Sequence, residues 1–378
     1  MTLAIQQFLR DYSVIPIERS LELLAEKYGI SAKSNTKYPN LFLFKYSQID
    51  SPFDQEIVRE CRGLVLDSTN NWNIVAFPFI KFFNKNEPNA ATIDWKKSVV
   101  FEKLDGSLMI LAAYNNEWFV STSGSLCGEG SVGDYNFTFG ELFWKSFKYK
   151  LPPTDINITF MFELTSIYNK IVVRHGSEPT ITLLGARNNN TLQELTLEAA
   201  HEYFPDVPVV QSYPLASFDE ITKSFDDERF AKLESEGYVI CSVGDGLSFD
   251  RVKDKAPPYV YAHHLKDSLG SSRRALVECV RQNQCDEVIS VLPEYEGVLL
   301  EAKSRLDALV LELEDVYAAT KDIVEQKEFA LRLESMKVKT RAPLFALRAG
   351  KTKSISHYFE TVHIDSLLKL LDYKSSND

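Results

Sequence analysis

The chain predicts an α+β fold in two parts: antiparallel and mixed sheets with flanking helices over residues 1–258, then an all-helical part over residues 259–378. Three observations carry this. From Tyr38 onward, short apolar or aromatic runs alternate with turn residues, which is the texture of strands. Beyond about residue 260 helical spacing takes over, as at Leu299, Lys303, Leu306, Leu309, Val310, Leu313 and Tyr317, which follow the three-and-four rule with Glu and Asp on the other face. Between the two textures stands Ala256-Pro257-Pro258, a boundary signal.

In chain order, residues 1 to about 30 carry a helical pattern that includes Leu21, Leu23, Leu24 and Tyr28 and stops at Gly29. Strands are expected at 41–46, 63–66, 74–79, 99–114, 118–120, 158–162, 171–173, 181–184 and 238–243, with helices near 137–149 and 192–203. No internal repeat is present. With 44% hydrophobic and 25% charged residues, the composition is that of a globular protein able to bury a core.

The net charge of -11 excludes a broad basic surface that would hold nucleic acid by bulk electrostatics, so any such binding must come from a local patch. One exists: Arg332, Lys337, Lys339, Arg341, Arg348, Lys351 and Lys353 stand against a single acid, Glu334. No apolar run approaches membrane-spanning length, and polar residues interrupt the N-terminus too early for a signal peptide. The expectation is a cytoplasmic or nuclear protein, not secreted and with no membrane partner. Cys61, Cys127, Cys241, Cys279 and Cys285 are scattered and show no CxxC spacing, which argues for reduced thiols rather than a disulfide framework or a zinc site. His263, His264, His357 and His363 are likewise too scattered for a metal site.

The stretch Phe101-Glu102-Lys103-Leu104-Asp105-Gly106-Ser107 interrupts two apolar runs and reads as strand, Asp-Gly turn, strand, with Lys103 at the mouth of a sheet. Lysine is a nucleophile only as the free amine, which burial beside other cations favours. Cations beside strand-like residues recur at 59–63 and 79–87, as a polyphosphate site needs; edge-strand charges are the alternative. Glu163 sits inside the apolar run 160–164 and Glu236 opens the run 236–240. A carboxylate so placed must be paired, hydrogen-bonded or metal-bound. Arg251 and Lys253, two apart, share one face of a strand and suit a phosphate.

In this order the pieces resemble the covalent nucleotidyltransferase superfamily of RNA ligases, DNA ligases and mRNA capping enzymes, and most of all the phage-type RNA ligase 1 family of tRNA repair. The matching stretches are Glu60-Cys61-Arg62-Gly63, Lys81-Phe82-Phe83-Asn84, Lys103-Leu104-Asp105-Gly106-Ser107, Phe162-Glu163 followed by Asn169-Lys170-Ile171-Val172, and Glu236-Gly237-Tyr238-Val239. The resemblance implies a nucleotidyltransferase (ATP-grasp-like ligase) core with Lys103 as the adenylated nucleophile and Asp105 in the same catalytic motif. It makes Arg62 and Lys81 contacts of the outer phosphates of ATP, counts Glu102 among the nucleotide contacts, and gives the ribose to Glu163. Glu236, with Glu163, would hold hydrated Mg2+ or Mn2+; Arg251 and Lys253 would flank the α-phosphate; Leu184 and Val239 would sandwich the adenine.

The implied reaction seals RNA ends bearing a 5′-phosphate and a 3′-hydroxyl, a nicked tRNA among them, prepared by an end-healing kinase or phosphatase. Lys337, Lys339 and Arg341 become candidate RNA contacts in a helical specificity module. Two departures stand out: Arg251 replaces the family's usual Lys, and 121–125 is serine-rich where the phage enzymes are basic. A GTP-using capping guanylyltransferase, a DNA ligase and a non-enzymatic nucleotide or RNA-end binding module are the competing readings. The helical rather than barrel-like last third disfavours the first two.

Overall fold

The structure, a computed structural model, describes residues 2–244 and 248–373. It divides into two compact units, Met1–Val260 and Tyr261–Asp378. The first unit holds three sheets. Strands β1 (Ile30–Lys33), β2 (Leu41–Tyr46), β3 (Arg62–Asp67) and β4 (Asn73–Ala76) form an antiparallel sheet in that order. Strands β5 (Phe83–Asn84), β6 (Ser98–Lys103), β12 (Ser212–Tyr213), β13 (Gly237–Ser242) and β14 (Asp250–Lys255) make a second sheet, ordered β12-β6-β13-β14-β5. The third contains β7 (Ser107–Tyr114), β8 (Glu117–Thr122), β9 (Ile158–Thr165), β10 (Thr180–Asn188) and β11 (Glu194–Leu195), ordered β11-β10-β9-β7-β8.

Strand β9 shows why these layers close. Phe160, Phe162 and Leu164 alternate along it and pack into a core with Phe143, Phe147 and Phe204. The intervening residues, Glu163 among them, therefore face the other way. Leu43 and Val65 of the first sheet share a cluster with Ile110 and Ala112 of β7, joining first sheet to third. The helix Ile17–Tyr28 ends at Gly29, whose φ of 63° is the left-handed cap a helix stop requires.

The second unit is helical throughout its described length. Its longest helix, Glu296–Thr320, buries Leu299, Leu306, Leu309 and Leu313 along the anticipated stripe, with Ala302 and Val316 completing it. Pro343 lies in the first turn of helix Ala342–Arg348 and so starts that helix rather than marking a linker. Among the described residues no helix is long and apolar enough to cross a membrane.

The α+β reading holds, with corrections. The Asp-Gly pair at 105–106 does not close a hairpin. Strand β6 pairs with β12 and β13, whereas β7 pairs with β8 and β9, so 104–106 hands the chain from one sheet to another. Asp105 is buried and works inward, accepting from the backbone N–H groups of Val172 and Val173 at 2.7 Å each and from the Tyr259 hydroxyl at 2.8 Å. At Gly106 a β-carbon would stand 2.4 Å from the Leu164 carbonyl oxygen, so only glycine passes there. Those same two N–H groups explain why 171–173 is not a strand: they are spent on Asp105 instead of on a ladder. The run 74–79 leaves its sheet after Ala76, and the short strands β1, β5, β11, β12 and β14 carry too few apolar residues to be marked by alternation. The helices expected near 137–149 and 192–203 are the shorter Phe139–Ser146 and Leu197–His201.

Candidate active site

Lys103 is the last residue of β6 and lies opposite Gly237 on β13. Gly237 has a φ of 145°, and a β-carbon there would come within 2.3 Å of the Asp254 carbonyl oxygen, so this glycine lets β13 start close against β14. The geometry turns Glu236, one residue earlier, onto the lysine. Its Oε2 is 2.6 Å from the Lys103 Nζ, and its Oε1 is 2.8 Å from the Nζ of Lys255. The buried Glu236 is thus fully paired, which is the condition its apolar setting demanded.

Around this pair opens a cleft of about 370 Å³ to which all three sheets contribute. Lys45 and Arg62 reach it from the first sheet, Lys81 from the segment before β5, and Lys103 from β6. Arg251, Lys253 and Lys255 alternate along β14 and all three line it. Seven cations therefore face two lining acids, Glu102 and Glu163. Leu184 and Val239, with Phe79 and Val210, supply the apolar wall.

Three of the seven pair with carboxylates behind the lining, Lys103 and Lys255 with Glu236 and Arg251 with Glu194, while Lys81 and Arg62 are held by aromatic rings. Lys81 sits among the rings of Tyr46, Phe53 and Phe83 at 5.2, 4.9 and 5.4 Å. The Arg62 guanidinium lies 5.1 Å from the Phe82 ring, and its buried Nη1 has no hydrogen-bond partner among the described residues. Burial, then Lys81, Lys103, Lys255 and Arg62, push the Lys253 ammonium down to about 8. Burial pushes the Glu163 carboxyl up to about 7, against Lys103 and with Glu236. A site this short of negative charge is suited to a polyphosphate.

Every residue anticipated for the nucleotide site borders this cleft, except that Asp105 and Glu236 stand behind the lining, at the base of the lysine loop and on the lysine itself. Arg251 differs from the role implied for it. Its guanidinium pairs with Glu194 and lies 4.3 Å from the Phe79 ring, so it braces the apolar wall. Glu60, beside Arg62, is also occupied structurally, accepting from the N–H groups of Ala4 and Ile5 at the start of helix Ala4–Asp11. Lys337, Lys339 and Arg341 belong to the second unit. Lys337 and Arg341 are exposed, while Lys339 pairs with Asp372 at 2.6 Å.

Sequence reasoning missed Lys255, Lys45 and Glu194. The alternation that linked Arg251 to Lys253 extends one step to Lys255, which was the available signal; Lys45 and Glu194 become site residues only when strands distant in sequence meet.

Residues 60–261 match the family model described as RNA ligase. The chain belongs to this RNA ligase family. It is 25% identical over 377 aligned positions to the RNA ligase of Rhodothermus phage RM378, covering 81% of this chain and 84% of that protein. It is 27% identical over 297 positions to a protein of Autographa californica nuclear polyhedrosis virus named "Putative bifunctional polynucleotide kinase/RNA ligase". That match covers 73% of this ligase chain but only 41% of the viral protein, so the chain spans about two fifths of that relative. A solved archaeal ATP-dependent RNA ligase aligns with a TM-score of 0.44 at 15% identity, over 70% of this chain and 68% of the other.

Proposed function

We propose that this ligase joins a 5′-phosphate to a 3′-hydroxyl of RNA at the expense of ATP, through an AMP carried on Lys103. The observation that supports this best is a lysine amine held by a buried carboxylate at the edge of a cleft with seven cations and an apolar wall. The Lys103 nitrogen forms a bond to the α-phosphorus while the bond to the bridging oxygen of pyrophosphate breaks. The amine proton leaves toward Glu236, 2.6 Å away. Arg62 and Lys81 receive the outer phosphates, Lys253 and Lys255 the α-phosphate, and Leu184 with Val239 the base, with Glu102 and Glu163 toward the ribose. The AMP then passes to the RNA 5′-phosphate, and attack by the 3′-hydroxyl releases it.

A magnesium or manganese ion fits this donor set. Such an ion keeps several waters and takes one or two carboxylates plus phosphate oxygens, so Glu163 and Glu236 would hold it, and it would neutralise charge on those oxygens. An end-healing kinase would supply the 5′-phosphate where a break leaves a 5′-hydroxyl; a relative whose name couples kinase to ligase motivates that expectation. The five free cysteines suit the cytoplasm or nucleus.

The test is incubation with magnesium and α-labelled ATP or GTP, followed by a denaturing gel. Label from ATP retained on the protein is expected. Label from GTP alone would make it a capping-type enzyme, and none from either a binding module.

Lys253 makes nucleotide binding depend on pH. Below about 8 it is charged and attracts phosphate; above, the neutral form grows and binding must first take up a proton. Affinity for an ATP analogue whose α,β bridge cannot be cleaved, which prevents turnover with Lys103 in place, should fall by up to about tenfold per pH unit above that value. Lys253→Gln should flatten this limb, and a limb unchanged by Lys253→Gln would assign it elsewhere.

In the second unit we assign backbone phosphate contacts to Lys337 and Arg341. Replacing both by alanine should shallow the slope of log affinity against log salt by about one to two. An identical slope would remove the patch from the RNA path.

A further inference from the structure

Outside the cleft, the first unit exposes a group of aromatic side chains. Tyr135 is 48% exposed at the tip of a tight loop closed by the Ser131–Thr138 bridge. Its ring stacks on Phe137 at 5.4 Å and 18°, and Tyr168 meets both edge-on, at 5.1 and 5.3 Å. Ile167 and Ile171 flank Tyr168 in the chain and are 46% and 36% exposed. Arg174, three residues further, is exposed as well. In a chain carrying a net charge of -11, exposed rings with an exposed cation a few residues further along the chain mark a surface whose chemistry differs from the rest.

This surface is tied to the nucleophile. The loop bearing Tyr168 is fastened by Asn169, whose Nδ2 donates to the Ser107 Oγ at 2.9 Å and to the Leu164 carbonyl at 2.7 Å. Three and four residues on, Val172 and Val173 donate to Asp105, in the short loop that follows Lys103. Whatever rests on Tyr135 and Tyr168 is thereby held at a fixed place relative to Lys103. The other features of this loop are explained by those bonds; the exposed ring surface is not.

We propose that Tyr135 and Tyr168, with Ile167 and Ile171, form a stacking platform for unpaired bases of the RNA strand whose end enters the cleft, with Arg174 beside its backbone. The proposal rests on the RNA ligase reading. Aromatic faces accept any base, and the strand near a break is single-stranded, so its bases are free to stack. The platform supplies the affinity that an acidic protein cannot draw from bulk charge, and it fixes how far the terminal phosphate reaches.

The test measures fluorescence anisotropy of a 5′-phosphorylated single-stranded RNA decamer, alongside labelled adenylate formation on the same preparations. Tyr135→Ala, an exposed site, should weaken RNA binding by about 5- to 100-fold while leaving the adenylate unchanged. Tyr135→Phe should restore binding to within about twofold, and a decamer with abasic sites throughout should bind wild type and Tyr135→Ala equally. RNA binding by Tyr135→Ala within twofold of wild type overturns the platform, as does an equal loss on the abasic strand. Absence of adenylate from wild type would instead sink the ligase chemistry, since the platform is read from RNA binding alone.

Discussion

Lys103→Ala is expected to abolish the covalent adenylate while leaving the protein folded. The side chain is 22% exposed and ends a strand, and its removal leaves Glu236 paired with Lys255, so no buried charge is stranded. The melting temperature should therefore stay within a few degrees of wild type. The loss of label should be complete, because no other lysine lies on Glu236 at the edge of β6: Lys253 is on β14, and Lys255 holds the other carboxylate oxygen. Lys103→Arg should fail equally, since a guanidinium keeps the charge but offers no free amine at neutral pH. A labelled band that survives Lys103→Ala would move the nucleophile to another residue.

The sequence made the cleft legible to the extent that its parts are local. Lys103, Asp105 and Gly106 stand together in seven residues, and the charges at 251 and 253 share a face by simple strand alternation. What lay hidden were relations between strands. Asp-Gly between two apolar runs reads as a hairpin because the commonest reason for that pair is a tight turn. Here the aspartate is buried under Val172, Val173 and Tyr259, and no local pattern announces partners 67 to 154 residues away. The same limit applies to Arg251, whose phosphate role followed from its position in a motif. Its guanidinium is claimed by Glu194, which enters the site from a two-residue strand.

Glu194 is expected to be the costliest single carboxylate to remove. It is fully buried between two arginines, pairing with Arg251 through one oxygen and with Arg187 at 3.4 Å through the other, which also accepts from the Phe249 N–H at 3.2 Å. Burial pushes Arg187 down to about 10, whereas Glu194 holds Arg251 above its ordinary value against the same burial. Glu194→Ala leaves the buried Arg251 without the carboxylate it pairs with, a loss of about 3–5 kcal/mol in urea unfolding. The effect should extend to the nucleotide, because Arg251 then leaves the Phe79 ring it lies 4.3 Å from, and Phe79 belongs to the apolar wall of the cleft, the wall proposed to take the base. Adding Arg251→Met to Glu194→Ala should recover part of the stability, since the cation left without its carboxylate is gone, yet it should not recover ATP affinity. A stability change below about 1 kcal/mol in Glu194→Ala would show that the arginines find water or other partners, and the wall of the base pocket would then need another support.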